Sequence, residues 1–121
     1  MKKIILLLFA ISAVVLTGCT KKYLAHFHIT AKAYYGSQPI LTNYSIIIDG
    51  DEYWNSWNAV SQNGELDYEF DVPDLKEGLY EIEVSGSVAD GAGWYVEDAV
   101  STSVYINSEA WIQKDFTLHL H

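Results

Sequence analysis

The chain has a single cysteine and no arginine. One cysteine can form no internal disulfide, so the fold must rest on its apolar core. Without arginine, seven lysines stand alone against sixteen acids, for a formal net charge of −9. A surface of that sign repels phosphate backbones, which excludes nucleic acid as a partner. Catalytic motifs are missing as well: there is no Gly-x-Ser-x-Gly elbow and no His-Glu-x-x-His pair. Neither a serine nucleophile nor a zinc hydrolase is therefore expected, and the chain reads as a non-enzyme. Helical apolar periodicity is absent throughout, and no apolar run approaches the roughly 20 residues of a membrane-spanning helix.

What is present begins at the N-terminus. Lys2 and Lys3 precede thirteen uncharged residues, Ile4 to Leu16, and then Thr17-Gly18-Cys19. A charged start, a short apolar stretch and small residues before a boundary make an export signal. Leu16-Thr17-Gly18-Cys19 resembles the lipobox of bacterial lipoproteins. The resemblance implies cleavage before Cys19 and a diacylglyceryl group on its thiol. The chain then divides into a signal peptide at residues 1–18, a lipidated cysteine with a short tether at residues 19–22, and one domain at residues 23–121. It also implies a lipid-anchored place in the bacterial cell envelope. The outer membrane is favoured where there are two membranes, because Thr20, not an acid, follows the cysteine. The processed chain would carry five lysines and sixteen acids, a formal charge of −11. Anionic headgroups would repel it, leaving the lipid as its attachment to the membrane.

Alternation dominates the remaining residues. Phe27, Ile29, Ala31, Ala33 and Tyr35 fall on one face of a first strand, with His26, His28, Thr30 and Lys32 on the other. Gly36-Ser37-Gln38-Pro39 breaks it. Tyr44 to Ile48 reads as a central strand buried on both faces. The signal from Tyr53 to Val60 is mixed. Leu66, Tyr68, Phe70 and Val72 alternate with Glu65, Asp67, Glu69 and Asp71, and Pro73 is expected to end that strand. A new alternation begins with Tyr80, Ile82 and Val84. Trp94 to Ile106 holds one long or two short strands, and Trp111 to Leu120 the last, with Ile112, Phe116, Leu118 and Leu120 inward. Short strands separated by Gly, Pro and Asn predict an all-β protein, a single seven-stranded Greek-key β-sandwich.

The run Asn63 to Phe70, then Val72-Pro73-Asp74-Leu75, then Glu77-Gly78-Leu79-Tyr80 to Val84 resembles the carboxypeptidase regulatory-like domains of prealbumin type. Fibronectin type III domains share a similar tyrosine corner, here Leu75, Gly78 and Tyr80. Either resemblance implies a binding or assembly module without catalysis or cofactor. It also implies a corner that crosses between sheets, putting the acidic faces of its two strands on opposite sides of the molecule.

Three constellations could carry a ligand. Asp49-Gly50-Asp51-Glu52 is an acidic turn of the kind that offers carboxylate oxygens to Ca²⁺. Trp54, Trp57 and Trp94, beside Tyr53 and Tyr95, are candidates for stacking on a glycan, although aromatics of this kind also fill sandwich cores. His26 with His28 and His119 with His121 form two His-x-His pairs on the first and last strands. If those strands are neighbours, the four imidazoles could hold Zn²⁺ or another transition metal. The expected partners are thus the membrane, through the lipid, and a protein or glycan.

Overall fold

The computed structural model describes residues 21–60, 65–89 and 95–121. Of these, 86% lie in strands and none in a helix, so the protein is all-β. The order is β1 (Lys22–Tyr35), β2 (Gln38–Pro39), β3 (Asn43–Gly50), β4 (Tyr53–Val60), β5 (Glu65–Lys76), β6 (Gly78–Ala89), β7 (Tyr95–Ile106) and β8 (Ala110–Leu120). Two four-stranded sheets pack face to face. In sheet one β1 is central, with β8 along one edge and β5 and then β2 along the other; sheet two runs β4-β3-β6-β7.

The strands number eight, not seven. The extra one lies in the segment expected to be only a break: Gln38 and Pro39 pair back on Tyr35 and Tyr34. Gly36, at φ 65°, supplies the positive φ that a two-residue hairpin loop demands. Pro73 does not end β5. The strand continues to Lys76 through a bulge, where Tyr23 faces Leu75 but Ala25 faces Val72. Pro73 and Asp74, the latter at φ 61°, are the two residues that bulge. A proline is tolerated there because β5 is an edge strand and its bulge needs no ladder donor. β3 is central, as expected, yet covered on one face only. Tyr44, Ile46 and Ile48 are buried, while Ser45 and Ile47 are half-buried on the outer side.

The core is the inward column of each strand. β1 gives Ala25, Phe27, Ile29, Ala31 and Ala33; β6 gives Tyr80, Ile82 and Val84; β8 gives Ile112, Phe116, Leu118 and Leu120. Small faces large across the β1–β8 pair, where Ala31 lies opposite Phe116 and Ala33 opposite Leu118. That alternation lets the two columns interdigitate at the density of a protein interior.

The corner between β5 and β6 carries the chain from sheet one to sheet two. Tyr80 is buried there, and its hydroxyl donates to the Lys76 carbonyl at 2.8 Å. Leu75 is fully buried beside it, and Gly78 is half-buried. The acidic outer positions of β5 and β6 consequently face opposite sides of the molecule. At the β7–β8 seam, Glu97 and His121 exchange two backbone hydrogen bonds of 3.2 Å. The Asp98 carboxylate beside them accepts from the Ala99 and His119 amides. At the β4–β5 seam, the Trp57 ring lies 4.5 Å from that of Phe70.

Candidate functional site

The outer face of sheet one gathers most of the chemistry. Register fixes it in rows: Asp71, His26 and Trp111 in the first, Glu69, His28 and Gln113 in the second, Asp67, Thr30 and Asp115 in the third. His26 is held from both sides. Its Nδ1 lies 2.8 Å from Asp71 Oδ1 and its Nε2 3.0 Å from Glu109 Oε1. Carboxylates only accept, so the two contacts are satisfied together when both ring nitrogens carry protons, and the geometry favours the imidazolium form. The hydrogen bonds to Glu109 and Asp71 accordingly raise its pKa above 6.5. The same ring stacks on Trp111, with centroids 4.9 Å apart and planes at 15°. His28 Nε2 is 2.6 Å from Asp67 Oδ1, and its Nδ1 is 3.8 Å from Glu69. Thr30 donates to Asp115 in the third row. A shallow groove of about 450 Å³ runs between these side chains, lined by His26, His28, Glu69, Asp71, Trp111 and Gln113.

Trp111 is the large apolar side chain exposed at the groove. The residue is 74% exposed, with its ring stacked on His26. It was not among the aromatics the sequence pointed to, although the signal was there. With Ile112, Phe116, Leu118 and Leu120 inward, strand alternation sends residue 111 outward.

The four histidines do not converge. β1 and β8 are neighbours, but they run parallel, and His119 lies opposite Tyr34. Eight residues of strand separate it from His26, about 26 Å at roughly 3.3 Å per residue. His119 stacks near Tyr34, with centroids 6.1 Å apart, while His121 is tied to the β7 seam. Among the described residues no group of three or more His, Cys, Asp or Glu side chains could hold a metal ion. At the acidic β3–β4 turn, Lys76 Nζ pairs with the Glu52 carboxylate and lowers its pKa.

Trp54 and Trp57 point to opposite faces of β4: Trp54 is exposed on the outer face of sheet two, and Trp57 packs inward on Phe70. Trp94 and Cys19 lie outside the described residues. A larger depression of about 810 Å³ crosses the outer face of sheet two, over Asn43, Ser45, Asn58, Ser85 and Ser87. Glu83, Glu97, Asp98 and the His121 imidazole also border it, and no tryptophan or phenylalanine among the described residues lines it.

The His26 cluster sets a pH dependence. A histidine whose folded pKa is raised adds stability that is fully present below its unfolded value, near 6.5, and is lost as pH rises through the folded value. The difference in melting temperature between the wild type and a His26→Gln variant should be largest below pH 6 and shrink on the alkaline side. In an NMR titration the His26 ring should titrate above 6.5, and Glu109→Gln should bring it down. An unchanged midpoint in that variant would remove the Glu109 contact from the account.

No family model matches the chain, and no curated protein matches it either.

Proposed function

We propose that this protein is a lipid-anchored, extracytoplasmic binding module without catalytic activity, built on a Greek-key sandwich of the carboxypeptidase regulatory-like kind. In this reading the outer face of sheet one is presented to the ligand. The observation that carries the reading is the exposed Trp111 ring, fixed on a rigid strand beside a groove of carboxylate, amide and imidazolium groups. An exposed flat ring with polar groups at its rim is an amphipathic contact, apolar in its body and wet at its edge. Pre-set on strands, it loses little conformational freedom when a ligand arrives. The export signal and the Leu16-Thr17-Gly18-Cys19 run support the anchor.

The same ring favours a glycan as the ligand. The apolar face of a pyranose would lie on Trp111, and its hydroxyls would donate to Asp71 and Glu109 and bond to Gln113. This carries the glycan reading with a different ring from the three tryptophans expected on sequence grounds.

Two variants test the two halves. Cys19→Ser should move the protein from the membrane pellet to the soluble fraction and abolish palmitate labelling; a variant that still sediments with membranes defeats the anchor. Trp111→Ala should abolish retardation of the protein in gels cast with envelope or plant polysaccharides. If no polysaccharide retards the wild type, or the variant is retarded equally, the glycan reading falls.

A further inference from the structure

Apart from the two-residue β2, four strands end the two sheets, and three of them carry a device against edge-to-edge pairing. β5 has Pro73, a bulge and a row of acids on its outer face. β8 turns Lys114, half-buried, into its inward column. β7 is met by His121 and by the Asp98 side chain's bond to His119. These are the ways natural sheets blunt an edge: charge, proline, a bulge, an inward lysine or a cover. Among the described residues β4 has none of them. Tyr53–Val60 contains no Asp, Glu, Lys, Arg, His or Pro, alone among the described strands longer than two residues. It pairs with β3 on one side only. Trp54 is 68% and Val60 70% exposed, both on the outer face of sheet two.

We propose that β4 pairs antiparallel with β4 of a second copy about a two-fold axis at Trp57, joining the two four-stranded sheets into one of eight strands. The strand sequence is self-complementary about that residue and no other. Side chains directly opposed on antiparallel strands share a face. An axis at Trp57 sets Trp54 opposite Val60 of the second copy and Ser56 opposite Asn58, each contact occurring twice as two-fold symmetry requires. Moving the axis to Ser56 or Asn58 sets Trp54 or Val60 against a small polar side chain and leaves apolar surface exposed. Charge points the same way. Each copy carries a formal −9, and strands must approach to about 4.8 Å to pair. Among the described strands longer than two residues, β4 is the edge where two such molecules can meet without opposing carboxylates. The Ser56 amide, capped locally by Asn55 Oδ1 at 2.8 Å, would exchange that bond for a carbonyl of the incoming strand.

The test uses the full chain with Ser56→Cys and Asn58→Cys made separately. Directly opposed strand residues have Cα atoms about 4.5–5.5 Å apart, within disulfide range, whereas diagonal ones are beyond it. Under mild oxidation the two variants co-expressed should give a covalent dimer on non-reducing gels, above any background in the wild type. Either variant alone should give no more than that background. No extra dimer from the pair overturns the proposal. Strong dimer from Ser56→Cys alone or Asn58→Cys alone places the axis elsewhere and overturns it too. Trp54 is exposed in the single copy, so Trp54→Lys leaves the fold intact and tests the interface by itself. Equilibrium sedimentation in detergent should show its dimer weakened on the order of 100-fold, since one substitution removes two apolar anchors. An unchanged dissociation constant, or a wild type that is monomeric at 100 μM or so, sinks the interface.

Discussion

Adding one methyl group at Gly50 should destabilise the protein by about 2 to 3 kcal/mol, and removing the ring it would strike, Tyr80, by about 3 to 5. A Cβ on Gly50 would lie 2.5 Å from Tyr80 Cε1 and 2.6 Å from Cδ1. No real Cβ sits so close, and the ring has nowhere to go. It is buried, its hydroxyl is bonded to the Lys76 carbonyl, and the Tyr53 ring meets it edge-on at 6.2 Å. The glycine is therefore there for the ring, and the ring for the crossing from β5 to β6. A double-variant cycle separates this from any general intolerance of β3 to substitution. In a Tyr80→Ala background, Gly50→Ala should cost less than about 0.5 kcal/mol, because the clash is gone. Tyr80→Phe, which loses only the hydroxyl, should cost about 0.5 to 1.5 kcal/mol. Denaturant midpoints measure all four. If Gly50→Ala costs the same in both backgrounds, the close approach of ring to strand is not what holds the corner.

The corner and the alternating strands were legible because each is local. Leu66 to Val72 against Glu65 to Asp71 declares which side is inside, and Leu75 to Tyr80 declares where the chain turns. Alternation assigns a residue to a face but says nothing of which strand lies beside it or in which direction that strand runs. The histidine pairs show the consequence. Adjacency of first and last strands was the condition for a shared metal site and is found, yet parallel pairing sends His26 and His119 to opposite ends of the sheet. Other misses were legible in principle. Trp54 and Trp57 are three apart, an odd spacing that puts them on opposite faces of any strand. Trp111 is outward by the same parity that sends Leu118 inward. The bulge at Pro73 was not legible, because proline reads alike at the end of a strand and at a bulge on an edge.

Leu118→Ala should cost about 4 kcal/mol, a large part of the 5 to 15 kcal/mol that holds a domain of this size together. Leu118 is fully buried on the strand that links the two sheets at the β7–β8 seam. It fills a gap left by small residues on both sides. Ala33 lies opposite it on β1, and on β6 its Cδ2 would be 3.0 Å from a Cβ on Gly86. Neither neighbour has a side chain that could swing into the space, so the cavity would stay open and the cost should fall toward the upper end for a leucine truncation. Gly86→Ala probes the same gap from the other side. Its methyl would meet Thr42 Cγ2 at 2.8 Å as well as Leu118, and overpacking of that kind costs about 1 to 3 kcal/mol. β8 pairs with β1 along eleven residues, so the damage should reach β1. Hydrogen exchange should then quicken along both β1 and β8 in Leu118→Ala, with melting measured beside it. Trp111→Ala on the outer face of the same strand supplies the comparison and should cost under about 1 kcal/mol. If the two variants melt alike, the terminal strand is not packed into the core at residue 118, and the parallel β1–β8 pairing loses its energetic basis.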